Sequence, residues 1–127
     1  MLATKSVVVL VDGYNVTMSA WPNVDPSGQR VAFERLLAGA AVLRSVNLLV
    51  VYDGDDTVQA ARSAAAAFSV AFTATGVEAD DEIIQMAEEL APEVPVVVVS
   101  SDRRVVDGVR RFGANAVSSQ LFLAALR

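Results

Sequence analysis

The 127-residue sequence has no cysteine and no histidine, and its lone lysine is Lys5. Without cysteine there is no disulfide framework, thiolate nucleophile, Cys-held zinc or redox motif. Without histidine there is no imidazole base, no Ser-His-Asp triad and no His-ligated metal. Long hydrophobic runs are missing too, although 54% of the residues are hydrophobic. The longest, Val7–Val11, Leu36–Leu43 and Ala64–Phe68, fall far short of the ~18 residues of a membrane-spanning helix. The first apolar stretch runs into Asp12 with no small-residue cleavage site after it. The expectation is therefore a cytoplasmic, soluble protein with no membrane segment. What remains for chemistry is carboxylates, hydroxyls, amides, arginines, the backbone or a bound metal.

The net charge of −5 and pI near 4.5 argue against a protein that coats nucleic acid non-specifically. They do not argue against an enzyme whose metal ions offset a local cluster of carboxylates. A mean hydropathy of +0.44 implies exposed apolar surface, and with it a homodimer as one expectation.

At this length one domain spanning residues 1–127 is expected, large enough to bury a real core. Val7–Val11 and Val96–Val99 are continuous aliphatic runs, as in strands buried on both faces. Asn47–Tyr52, Ser69–Phe72 and a weaker Asn115–Val117 complete five strands. Helical spacing of apolar residues marks Gln29–Arg44, Val58–Phe68, Asp80–Leu90, Arg103–Phe112 and Gln120–Leu126. Gly113 falls at a C-terminal cap, and Ser118 or Ser119 at an N-cap. Alternating strands and helices predict an α/β fold: a central, mostly parallel five-stranded sheet with helices on both faces.

The informative feature is where the acids fall. Asp12 follows the first strand, Asp53 the second, and Asp102 follows Val96–Val99 after two serines. In an open parallel sheet these strand ends share one edge, where ligands bind at the switch point. A lone strand-end Asp is ordinarily turn chemistry, and Asp12-Gly13 or Asp53-Gly54 would suit hairpins, but no convincing return strand follows either. A second acidic group, Glu78-Ala79-Asp80-Asp81-Glu82, opens a helix, where acids also act as caps. Asp80 precedes Ile83, Ile84 and Ala87 by helical spacings and so extends an apolar stripe. A carboxylate on that face needs a cation, hydrogen bonds or a proton. Together Asp12, Glu78, Asp80, Asp81 and Asp102 form a candidate all-oxygen site for Mg²⁺ or Mn²⁺, as one ion or two. Setting those five aside leaves ten acidic residues against ten basic ones.

The run VVVLVDGYNV, with VYDG at Val51–Gly54, VEADDEII at Val77–Ile84 and VVSSDRRV at Val98–Val105, resembles the NYN domain. That family is a branch of the PIN-like ribonucleases, and the likeness is to its YacP-like members, over roughly Val7 to Leu123. EADD and the later SD also resemble motifs of the flap and 5′-nucleases. The resemblance implies a PIN-like three-layer sandwich and a metal-dependent endoribonuclease that hydrolyses RNA phosphodiester bonds. It implies metal ligation by Asp12, Glu78, Asp80, Asp81 and Asp102, with Asn15 contacting Asp12, a metal-bound water or a phosphate. Ser101 would orient Asp102 or a phosphate, and Asp53 would stand behind the ligands.

Nuclease relatives often use several lysines on the nucleic-acid backbone. Here Arg103, Arg104 and Arg62 are the candidate RNA contacts, with Arg110 and Arg111 further along, although each also suits a solvated surface. Tyr14 and Trp21 suit either base stacking or packing. A catalytically silent RNA- or protein-binding module is the competing reading. A phosphoacceptor receiver domain is disfavoured by the single Asp after the first strand and by the lack of a lysine after the last.

Overall fold

Aliphatic runs with no polar face must be covered on both sides, and the structure does so with three layers. This computed structural model describes residues 6–54, 61–64 and 68–127, with the main chain alone at 41, 42 and 61–64. The strands are β1 (Val8–Asp12), β2 (Asn47–Tyr52), β3 (Ala61–Ala64), β4 (Ser69–Phe72), β5 (Val96–Val99) and β6 (Asn115–Val117). Their order is β3-β4-β2-β1-β5-β6, and every neighbouring pair is parallel except β3 with β4. Helices α1 (Gly13–Ala20), α2 (Pro26–Ala38) and α5 (Ser119–Leu126) pack on the sheet face that carries Val9, Val11, Val50, Tyr52 and Val70. Helices α3 (Ala79–Leu90) and α4 (Arg103–Arg111) cover the other face, over Leu10, Leu49, Val51, Val96 and Val98. The alternation of Val9, Leu10 and Val11 between the two cores is the period of a strand buried on both sides. Among the described residues no helix is long and apolar enough to cross a membrane.

The chain runs from β1 outward to β2 and β4, then returns across β1 to β5. The order therefore reverses between β1 and β5, and the crevice at their carboxyl ends is the ligand-binding position of such sheets.

Several sequence expectations change. The five-strand sheet gains β3, an antiparallel edge strand where a helix over Val58–Phe68 was expected. Residues 55–60 and 65–67 of that region lie outside the described residues. Pairing of Ala61–Ala64 with Phe72–Ser69 satisfies the open backbone edge of β4, a gain that overrides alanine's helix preference. The helix expected over Gln29–Arg44 ends at Ala38; Gly39 and Ala40 follow, then a short 3-10 helix over Ala41–Ser45. It also begins earlier, at Pro26, with Asp25 accepting from the Gly28 N–H as its N-cap. Helix α1 was not foreseen, because GYNVTMSA has only a weak apolar stripe. It is held instead by buried Val16 and by Thr17, whose hydroxyl donates to Gln29 Oε1 at 2.8 Å. Gln29 Nε2 in turn donates to the carbonyls of Trp21 and Val24. The caps behave as expected: Ser118 Oγ accepts from the Leu121 N–H, and Gly113 takes φ +90 beyond α4.

Asp12-Gly13 is a strand-to-helix junction rather than a hairpin. Tyr52 is fully buried beneath it, between Tyr14 (ring centroids 4.8 Å apart) and Phe72 (5.3 Å). A Cβ on Gly13 would lie 2.3 Å from the Tyr52 ring. Gly13→Ala is therefore expected to force this stack apart and lower stability by about 1–3 kcal/mol in urea denaturation.

Candidate active site

The site is assembled from the carboxyl ends of β1, β2 and β5 and the start of α3. Asp12 closes β1 and is 6% exposed. It stands at the N-cap position of α1 but makes no side-chain cap bond there. Its Oδ2 accepts instead from Ser100 Oγ at 2.9 Å. Ser100 Oγ also accepts from the Asp102 N–H at 3.0 Å, so one buried hydroxyl joins the two strand ends on either side of the switch point. Asp102 caps α4 by accepting from the Arg104 N–H. Asp53 crosses to α3 and accepts from the Ala79 N–H at 2.6 Å, fixing the start of that helix. Thr73, 2% exposed, accepts from the Gly54 N–H and donates to the Val77 carbonyl, which ties down the loop leading to the acidic helix.

These placements crowd negative charge. Burial, with the charges of Asp80, Asp53 and Asp102 adding to it, pushes the Asp12 carboxyl up to about 7 despite the opposing Ser100 hydrogen bond. Partial burial likewise raises Asp80, helped by Asp102, Glu78 and Asp53 and opposed by Arg104. Asp80 does not extend the buried stripe of α3 directly. That stripe is Ala79, Ile83 and Ala87, and Asp80 lies half-buried on its flank.

The five proposed ligands do not close on one point. Glu78 and Asp81 lie at the exposed rim, where the Arg104 guanidinium pairs with Glu78 at 3.8 Å, Asp80 at 3.4 Å and Asp81. Among the described residues no three acidic side chains are spaced to hold one ion together. The donors still fit a hard divalent cation in kind: they are oxygen-only, and they carry excess negative charge that a cation relieves. Mg²⁺ commonly binds through one or two carboxylates, with waters and substrate phosphate completing its shell. Asp12, Asp80 and Asp102 are acids whose charges meet at this edge, with Asp80 and Asp102 both acting on Asp12.

The remaining candidates divide. Asn15 Oδ1 accepts from the Ser101 N–H at 2.8 Å and from Ser119 Oγ at 2.7 Å, so its carbonyl joins α1 to the β5–α4 turn and to α5. Its amide nitrogen is the group left to face a ligand. Ser101 Oγ is occupied by Gln120 Oε1 and the Ser119 N–H. Ser100, which the sequence reading passed over, is the serine that orients the acids. Its signal was there: the first residue past a buried strand, two before the Asp. Arg104 faces the acidic helix, Arg103 is exposed on α4, and the Arg62 side chain lies outside the described residues. Tyr14 packs on Tyr52 and accepts from Arg30 Nη1, while Trp21 packs on Phe33.

In buffer free of divalent ions, the raised carboxyl of Asp12 has a defined consequence. Between the unfolded value of 3.8 and about 7, the folded chain holds a proton that the unfolded chain releases. Stability from this group is thus full below pH 4 and lost as pH rises through about 7, by a few kcal/mol at most. Asp12→Asn is expected to flatten that part of the stability–pH profile in urea melts and to raise stability at pH 7.

Two crystal structures of Rae1 (YacP) from Bacillus subtilis share this fold. The W164L mutant superposes with a TM-score of 0.73, at 23% identity, covering 94% of this chain and 74% of that one. A second Rae1 structure superposes with a TM-score of 0.69, also at 23% identity, covering 94% and 72%. No curated protein matches the sequence. The model of the YacP-like NYN domain matches residues 9–127, and the chain belongs to that family.

Proposed function

We propose that the protein is a metal-dependent endoribonuclease that hydrolyses RNA phosphodiester bonds in the cytoplasm. The observation that carries this reading is the buried Asp12 at the switch point, hydrogen-bonded through Ser100 to the turn bearing Asp102 and within electrostatic reach of Asp80. Burying a carboxylate is costly unless something stabilises its charge, and a structural role would be served as well by an uncharged residue. Mg²⁺ or Mn²⁺, bound through one or two of Asp12, Asp80 and Asp102 with waters completing its shell, would supply Lewis-acid activation of water and neutralise charge at the phosphate. The chain's own groups do the positioning. Ser100 keeps the Asp12 carboxylate oriented, Asp53 holds the first turn of α3 in place, and the Asn15 amide is presented beside the site by its two hydrogen bonds. Glu78 and Asp81 complete the negative field at the rim.

A second reading, a silent RNA- or protein-binding module, draws support from Arg104, which already pairs with Glu78, Asp80 and Asp81 and offsets one of their charges. Cleavage of end-labelled RNA with Mn²⁺ or Mg²⁺ separates the two. The wild type is expected to cut, with Asp12→Asn and Asp80→Asn each reduced about a hundredfold or more. Equal activity in all three would overturn the site assignment. A wild type that cuts no RNA and takes up no Mn²⁺ in titration would establish the silent module.

A further inference from the structure

Neighbouring arginines at the start of α4 point to different tasks. Successive helical residues diverge by about 100°, so Arg104 reaches back to α3 while Arg103 lies on the side of β6. Arg110, seven residues on, shares the face of Arg103 about 10 Å along the axis. Both line a groove of about 460 Å³ between α4 and the β6–α5 connection, with Ser100, Ser101, Val106, Asp107 and Ser118. Among the described residues neither Arg103 nor Arg110 has an ion-pair partner, whereas Arg104 has three. Ser100, whose hydroxyl donates to Asp12, is part of the groove wall. Two guanidiniums without ion-pair partners among the described residues therefore line a cleft that borders the carboxylate centre through Ser100.

We propose that this groove carries the sugar–phosphate backbone of single-stranded RNA on one side of the carboxylate centre, with Arg103 and Arg110 contacting its phosphates. The inference rests on the ribonuclease reading and adds the strand's path. Charge selects a polyanion, and guanidiniums match phosphate geometry. No aromatic side chain lines the cleft, so the contact is to backbone rather than to stacked bases, and it is tolerant of sequence. The volume is that of a small-ligand cleft, about 300–1,000 Å³, room for a short stretch of one strand. Asp107 opposes binding from the same wall.

The test is fluorescence anisotropy of a labelled single-stranded RNA with the full chain in EDTA, where nothing is cut, across a salt series. Arg103→Ala and Arg110→Ala are each expected to weaken binding about tenfold and to lower the salt slope by about 0.7. Asp107→Asn is expected to tighten binding, an outcome that damage to the fold does not produce. Arg111→Ala removes the same charge from the same helix outside the groove lining and is expected to leave affinity unchanged. Equal effects of Arg110→Ala and Arg111→Ala, or equal affinity for a duplex, would overturn the proposal. RNA cleavage by the wild type, with groove variants that bind as it does, overturns the strand path and leaves the nuclease reading intact. Groove-dependent binding without cleavage in Mn²⁺ overturns the nuclease reading and supports the path.

Discussion

The burial of Asp12 at the end of the central strand is the constraint around which the rest of the site is arranged. A carboxylate 6% exposed must be protonated, hydrogen-bonded or neutralised, and every neighbouring element bears on which of these it is. Ser100 supplies a hydrogen bond from β5. Asp80, Asp53 and Asp102 supply like charge from three other segments and favour the proton. Carboxyls perturbed by burial and by neighbouring like charges cluster at functional sites.

The fold makes that crowding stable by giving most of the acids a structural partner as well. Asp53 caps α3 and Asp102 caps α4, so each carboxylate near Asp12 is held by a helix start whose dipole favours it. Arg104 balances the outer part of the cluster. The negative charge is thereby graded: partly compensated at the rim, where Arg104 meets Glu78 and Asp81, and least compensated at Asp12. The least compensated charge lies at the innermost position, next to Ser100, which also lines the groove of Arg103 and Arg110.

Much of this was legible in the residue order. The strand-end positions of Asp12, Asp53 and Asp102 follow from where apolar runs stop, and the parallel sheet then brings them to one edge. The acidic start of α3 was visible in EADDE for the same reason. The apolar face of that helix is as its spacing indicates, with Ile83 and Ala87 buried and Ile84 and Leu90 packed at the margin, and Ala79 joins it one turn before Ile83. Ser100 was overlooked in favour of Ser101, since which of two adjacent serines turns inward depends on where β5 ends and how its last residue is pleated. The Ala-rich segment at 61–64 read as helix because its local preference is helical, while its strand state depends on the open edge of β4, a partner outside the segment.

What the sequence by itself determined is the chemical repertoire and the layered scaffold. Without histidine or cysteine, carboxylates had to do the work, and buried aliphatic runs with intervening helices had to form a parallel sheet. What only the tertiary structure decided is the division of labour among like residues. Arg103 and Arg104 are adjacent in the chain, yet one faces a groove and the other three carboxylates. Five acids share one charge at the sequence level, yet only Asp12 is driven into the interior. Composition sets which groups exist, but their burial and partners are properties of packing between segments as far apart as Asp12 and Ser100, and those are settled only when the sheet closes around them.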